Sequence, residues 1–461
     1  QSKAGTHGAP NNNIVTITGD PNGTDMSGYI VYGGGIGDGS GHTGSVCVGT
    51  NCIFEQTIAA TNNTLNINNG ATVWIAVGGE GKGANNNTVN ITNSTVRGVV
   101  LGGNGTWFGQ ARDSGDAIHN VVNISGNSQV LFQGYGGFNN TSVAGGRATG
   151  NHRADDNEVN ISGTPAITGR ITGALVDKGD AKANKVKING EVTFNGDVNG
   201  VIVSSIDSTA TLSENTVTIN HANAKTQGGG GVFGVNGNNG NPGNPASKTT
   251  AENNGVILQN GTIEGDGGIA GSYMVTKSKG NYSNISGGHV KTYAYGGYSR
   301  ANGYSSENDH VTMSGGTVGG GVYGNYNTKG NIKNGYVTLS GGEVEGEVYG
   351  GWSVEGEVEA SHVDISGNVK VGKSVVGGRS DKKTVKNSYV SSNGGEIGNF
   401  VIGSWGDAGS IGGKVTSTGT TFKKSVTGGE SSNGAVTGSR VFLTNSKVGE
   451  NIYGGNAAGG K

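Results

Sequence analysis

Residues 308–351 read NDHVTMSGGTVGGGVYGNYNTKGNIKNGYVTLSGGEVEGEVYGG, and the same unit occurs there twice. Each copy opens with an apolar alternation, Val311 and Met313 in one and Val337 and Leu339 in the other. A Ser-Gly-Gly break follows, then a lone valine (Val318, Val344), a Val-Tyr-Gly segment and a polar stretch. Val311 and Val337 are 26 residues apart. A repeat in the range of about 20–50 residues decides the architecture before any other feature does, because each unit is one supersecondary element that must stack on its neighbours.

Outward from this stretch, the leading apolar residue recurs at Val15, Leu65, Val89, Val122, Val159, Val186, Val217 and Val256. A degenerate copy at Asn281–Ile285 follows, then Val311, Val337, Val363, Val390, Val415 and Val441. The spacing is 25–27 residues in the last third and mostly longer toward the start, as in the 50 from Val15 to Leu65 and the 39 from Val217 to Val256. The Val-Tyr-Gly segment recurs as Ile30–Gly33, Ile75–Gly78, Val99–Gly102, Val348–Gly350, Val375–Gly377, Phe400–Gly403 and Ile452–Gly454. Three short strands per circuit, joined at glycine turns, predict an all-β fold: a right-handed parallel β-helix of about fifteen coils. The hand follows the preference of parallel crossovers. One coil buries too little to repay the ordering of its glycine-rich backbone, so stacking has to supply the core. The whole chain, 1–461, is expected to be a single β-helix rod. Loop insertions are expected at 33–63, 104–120, 139–157 and 236–254.

Composition agrees. Of 461 residues 94 are Gly, 14% are charged, and the net charge is −2. That balance gives no electrostatic steering toward nucleic acid. No apolar run is long enough for a transmembrane helix, so no membrane insertion by this segment is expected. The two cysteines, Cys47 and Cys52, are expected to close a small loop as a disulfide, with free thiols as the alternative.

Asparagine stands two residues before the leading apolar position in eight coils: Asn13, Asn63, Asn87, Asn120, Asn157, Asn184, Asn215 and Asn254. Equal positions stacked in register can join their amides into a ladder. After Val256 asparagine is found three residues before instead (Asn308, Asn334, Asn387), which predicts a changed corner there.

Outward-facing positions are the candidate binding surface. On the leading strand these are His310, Tyr336, His362, Tyr389, Lys414 and Arg440, which stacked at about 4.8 Å would form a π and cation–π column or else are unrelated surface residues. On the Val-Tyr-Gly segment Tyr295, Tyr323, Tyr349 and Tyr453 share a column; Tyr298, Tyr326, Trp352 and Trp405 form the next, with Arg379 interrupting it. Rows of aromatics suit a sugar or protein partner, or else pack a corner. In the 104–120 insertion, Trp107, Phe108 and Arg112 are of the types enriched at binding hot spots. Six glutamates between Glu343 and Glu359 read as a solvated acidic patch, the other readings being a cation site or a glycosidase pair. Asp113-Ser114-Gly115 lacks the glycine of a protease nucleophile motif, Arg112 standing in its place. No catalytic, metal or cofactor residue is assigned.

The repeat V-x-I-S-G-G-x-V-x-G-x-V-Y-G-G, carried by Val311–Gly324, Val337–Gly351, Val363–Gly378 and Val441–Gly455, resembles passenger domains of Gram-negative type V autotransporters. The resemblance implies a β-helix displayed at the cell surface, most often an adhesin. It implies a partner that is a host receptor, a glycan or another copy, and a translocating β-barrel of which this chain shows no pattern. A carbohydrate-active β-helix enzyme is the alternative, and a purely structural stalk a third reading.

Overall fold

The computed structural model describes residues 11–19, 25–35, 45–46, 59–105, 115–133, 140–226, 230–237 and 247–457. All regular elements among them are strands, and their pairings are parallel. The fold is a β-solenoid. Residues 1–230 with 239–241 form one compact unit, and 231–238 with 242–461 form a second.

Within the second unit, the coil that opens at His310–Met313 shows the plan. This leading strand buries Val311 and Met313 and turns His310 and Thr312 outward. A two-residue step, Thr317–Val318, buries Val318. The closing strand Val322–Asn327 carries Val-Tyr-Gly. Sequence reading expected a polar loop next. Instead a fourth strand, Gly330–Lys333, runs through it and buries Ile332. Ile332, Val358 and Val385 form their own core cluster on this corner. In the first unit the corresponding buried positions are Ala60, Ala84, Ala117, Ala154, Ala181 and Leu212. One apolar residue in a polar run gives no period to read, so these corner strands were invisible in the sequence.

Register places equal positions side by side. Val311 pairs with Val337, and Val337 with Val363. The degenerate copy falls into line too, with Ser283 where the others have an aliphatic residue. The stretch 139–157, expected as a loop, is a correction. It holds the closing strand Thr141–Ala148, in register with Val100–Asn104, and the corner strand Ala154–Asp155. Its leading Thr-Ser-Val-Ala lacks the large aliphatics of other closing strands, which hid it.

The asparagine ladder of the first unit lies inside the solenoid. Each Nδ2 and each backbone N–H donates to the next asparagine's Oδ1: Asn63 to Asn87 at 2.9 and 3.1 Å, Asn87 to Asn120 at 3.0 and 3.1 Å, Asn120 to Asn157 at 2.9 and 3.0 Å. The second amide proton goes to a corner-strand carbonyl, Asn120 to Ala84 O at 2.7 Å and Asn157 to Ala117 O at 2.8 Å. Every polar atom of a wholly buried side chain is thereby paired, which avoids a desolvation cost of about 1–3 kcal/mol per orphaned group.

The ladder explains the Gly-Gly pair. A β-carbon on the first glycine would run into backbone: at Gly324 it would meet N and O of Tyr336. The second glycine makes room for the amide. On Gly79 a β-carbon would stand 2.5 Å from the Asn87 amide carbon. In the second unit the same pair of positions trades sizes. Gly297 faces Asp309, Asn325 faces Gly335, Gly351 faces Ser361 and Ser404 faces Gly413. One large and one small residue fill each level.

The expected change of corner after Val256 does not occur. The residue three before the leading position has positive φ in both units, as at Asn62 (56°), Asp156 (53°), Asn308 (61°), Asn334 (52°) and Asn387 (54°). Asparagine tolerates this left-handed conformation better than most residues, so its appearance there reports the turn. What changes is the neighbouring ladder position, which becomes Asp309, Gly335, Ser361 and Ser388.

Candidate functional site: stacked aromatic columns

The most organised outer surface lies on the second unit. On the leading strands, Tyr282, His310, Tyr336, His362 and Tyr389 stand in register. Their rings stack face to face. His310–Tyr336 centroids are 4.5 Å apart at 2°, Tyr336–His362 5.1 Å at 5°, and His362–Tyr389 4.6 Å at 8°. Tyr282 extends the stack at 5.8 Å; it escaped the sequence reading because its strand lacks the leading aliphatic residue. Nδ1 of His310 lies 3.2 Å from the Asn308 carbonyl, and that of His362 lies 3.2 Å from the Ala360 carbonyl. A carbonyl oxygen only accepts, so each of these contacts places a proton on Nδ1; Nε2 of His362 lies 3.7 Å from Asp364 Oδ2. Burial between the rings lowers the pKa of His310. Lys414 and Arg440 continue the register beyond Tyr389.

A second wall stands on the closing strands. Tyr295, Tyr323 and Tyr349 share one column, continued by Val376 and Ile402. Tyr298, Tyr326, Trp352, Arg379 and Trp405 share the adjacent one. Residues three apart on a straight strand point to opposite faces. Here the chain bends at the first glycine, whose partners are skipped in the register, and both columns come to the same side. Tyr323 and Tyr326 centroids are 5.9 Å apart, those of Tyr349 and Trp352 4.9 Å. Arg379, read as an interruption, completes the column. Its guanidinium lies 4.3 Å from the Trp352 ring and 4.2 Å from the Trp405 ring. Nε donates to Asp381 Oδ1 at 2.7 Å and Nη1 to Tyr349 OH at 3.2 Å; Trp352 Nε1 donates to Asp381 Oδ2 at 3.0 Å.

Packing decides what this wall can do. Tyr323 and Tyr349 are only 5% and 3% exposed and form a cluster separate from the interior, with Tyr295, Tyr326, Trp352 and Trp405 packed half-buried against it. Burial raises the pKa of Tyr295, Tyr323 and Tyr349. Most ring faces are covered by other rings or by Arg379, and the hydroxyls of Tyr298 and Tyr349 accept from Arg300 and Arg379. Stacking on a sugar ring needs a free face.

Four of the six glutamates from Glu343 to Glu359 lie beside lysines of neighbouring coils rather than in a purely acidic patch. Glu343 pairs in register with Lys370, and Glu359 lies between Lys333 and Lys386. Lys382 Nζ reaches Glu355 Oε1 at 2.7 Å and Lys386 Nζ reaches Glu357 Oε2 at 3.2 Å. One coil's worth of sequence shows the acids; the lysines arrive from neighbouring coils.

On the first unit, the outer side of the closing strands carries Glu80, Asn104 and Arg147 in register. Asn104 Nδ2 donates to Glu80 Oε1 at 3.0 Å, and Arg147 Nη1 reaches Asn104 Oδ1 at 3.5 Å. Burial lowers Arg147 to about 10 against the opposing pull of Glu80 and Asp177. Asn66, Asn90, Asn123 and Asn160 form a second amide ladder on the outer face of the leading strands, Asn90 to Asn66 at 2.8 Å and Asn160 to Asn123 at 3.0 Å. Trp107, Phe108, Arg112, Asp113, Ser114, Cys47 and Cys52 lie outside the described residues.

No known family matches the chain, and neither curated proteins nor solved structures provide a match.

Proposed function

We propose that this chain is the surface-displayed binding part of an autotransporter-type adhesin, presented at the cell surface, and that it recognises a protein partner. The observation that carries this reading is the row of equivalent outer side chains, one per coil, from Tyr282 to Tyr389. A repeated row makes many identical weak contacts at fixed spacing, and such contacts multiply into avidity. Edges and hydroxyls presented by stacked rings favour a protein over a glycan as the partner on this side. Exposed polar tips on rigid aromatic bodies suit a protein interface.

The test is cell binding by the purified chain coupled to beads, run beside a glycan array and a polysaccharide-turnover assay. The expected result is bead capture that is abolished by protease treatment of the cells and reduced at least tenfold by Tyr336→Ala combined with Tyr389→Ala. Glycan capture independent of both tyrosines would redirect the proposal to another face. Turnover of a polysaccharide would replace it with the enzyme reading.

A further inference from the structure

The asparagine ladder of the second unit ends in an acid. Asn254 Nδ2 donates to Asn281 Oδ1 at 2.8 Å. Asn281 then donates to Asp309 Oδ1 from its backbone N–H at 2.8 Å and from Nδ2 at 3.1 Å. Every link gives protons toward the next coil, so the last member needs only to accept. A carboxyl group can do that, and the following ladder position, Gly335, has no side chain to receive anything. Asp309 Oδ2 accepts from Asn325 Nδ2 at 2.8 Å, and the same Nδ2 donates to Tyr304 OH at 2.9 Å.

Asp309 and Tyr304 are 0% and 1% exposed. The groups packed on the carboxyl are Ser278 and Asn281 from the coil before, Gly297 and Tyr304 from its own circuit, and Asn325 from the next closing strand. Tyr304 is the titratable one among them, and none of them is a cation. Lys279 and Glu307 sit beside buried residues on the corner strands but alternate to the outside. An ionised carboxylate here has hydrogen bonds but no counter-charge, whereas a protonated one can donate to the Ser278 hydroxyl once that hydroxyl rotates, the amide donors staying in place.

We propose that Asp309 is a proton-operated lock in the second unit: protonated, it holds the coils around residues 281–327 closed, and ionisation loosens them. Burial raises the carboxyl to about 7, against the pull of its hydrogen bonds from Ser278, Asn281 and Asn325. The sign follows from linkage. A carboxyl whose folded pKa lies above its unfolded value binds more protons when folded. The stabilisation is therefore full in acid and is lost as pH rises from about 4 toward 7. Surroundings that acidify would tighten this unit, and neutral or alkaline ones would relax it.

Hydrogen exchange by mass spectrometry, corrected for intrinsic rates, tests the lock in the full chain. Peptides covering 281–327 are expected to be at least tenfold more protected at pH 5 than at pH 8, while those covering 84–125 change less than threefold. Asp309→Asn, which keeps an Oδ1 acceptor, is expected to flatten the difference. Should that variant not fold, the native carboxyl can be followed by carbon-13 NMR. A midpoint near neutrality supports the lock. A midpoint below 5, or protection that ignores pH, overturns it.

Discussion

Two residue positions carry most of the geometry of a coil. The first is the small partner of the ladder amide. Gly79→Ala would drive a methyl group into the Asn87 amide, which has no slack because its Nδ2 is bound on both sides, to Asn120 Oδ1 and to Ala60 O. A loss of about 1–3 kcal/mol is expected from overpacking. Gly28→Ala, where the added carbon meets nothing within 4 Å, is the control. Denaturant melts of both variants check the contrast. The second position is the left-handed corner. Ala360 sits there at φ 53°, a conformation that costs a residue with a β-carbon about 1–2 kcal/mol. Ala360→Gly is expected to raise the melting midpoint, since relief of that strain exceeds the entropy glycine adds to the unfolded chain. The ladder asparagines were legible in the sequence because they hold one offset. The corner residues were not, because Asn, His, Asp, Ala, Glu and Gly all occupy that position, and only the backbone angle unites them.

Among elements, the leading and closing strands could be read directly. The first alternates apolar and polar residues with period two, and the second ends in a Gly-Gly pair whose two members have separate steric duties. Corner strands and the closing strand Thr141–Ala148 could not: the inward residues are small, as at Ala154 and Ala181, or a single aliphatic residue in a polar run, as at Leu212, Ile332, Val358 and Val385. Neither gives a hydropathy period to read. The corner strands also carry the charges that hold neighbouring coils in order. Lys279, Glu307, Lys333, Glu359 and Lys386 alternate in sign along one row. Glu359→Lys would set three lysines side by side on that exposed row. The expected cost is about 0.5–1 kcal/mol at low salt, shrinking as salt is added. Thermal melts at two ionic strengths measure it, and a salt-independent penalty would mean that packing, not charge, is at stake. Arg379 makes the related point for the aromatic wall. From sequence it breaks a column of rings; in the fold, a flat guanidinium between two indoles continues the stack.

At the scale of the whole molecule, the proposed function rests on each coil adding one equivalent position to the same outer row. The outer columns on the second unit were predicted by position, and ring stacking along the leading strands was one of the two expected readings of that row. Stacking at the coil spacing covers the ring faces. What the fold demands of every column is that positions equivalent in the repeat be neighbours in space, however many residues separate them. Double electron–electron resonance on spin-labelled cysteine pairs measures this directly. Residues 312 and 416 in the second unit, and 66 and 187 in the first, are each four strand pairings apart. At about 4.8 Å per pairing, both pairs should give one narrow distribution centred near 19 Å before allowance for the label arms. A longer distance for the 66–187 pair, in proportion to its longer intervening chain, or a broad distribution in either unit, would contradict in-register stacking and the binding surface built on it.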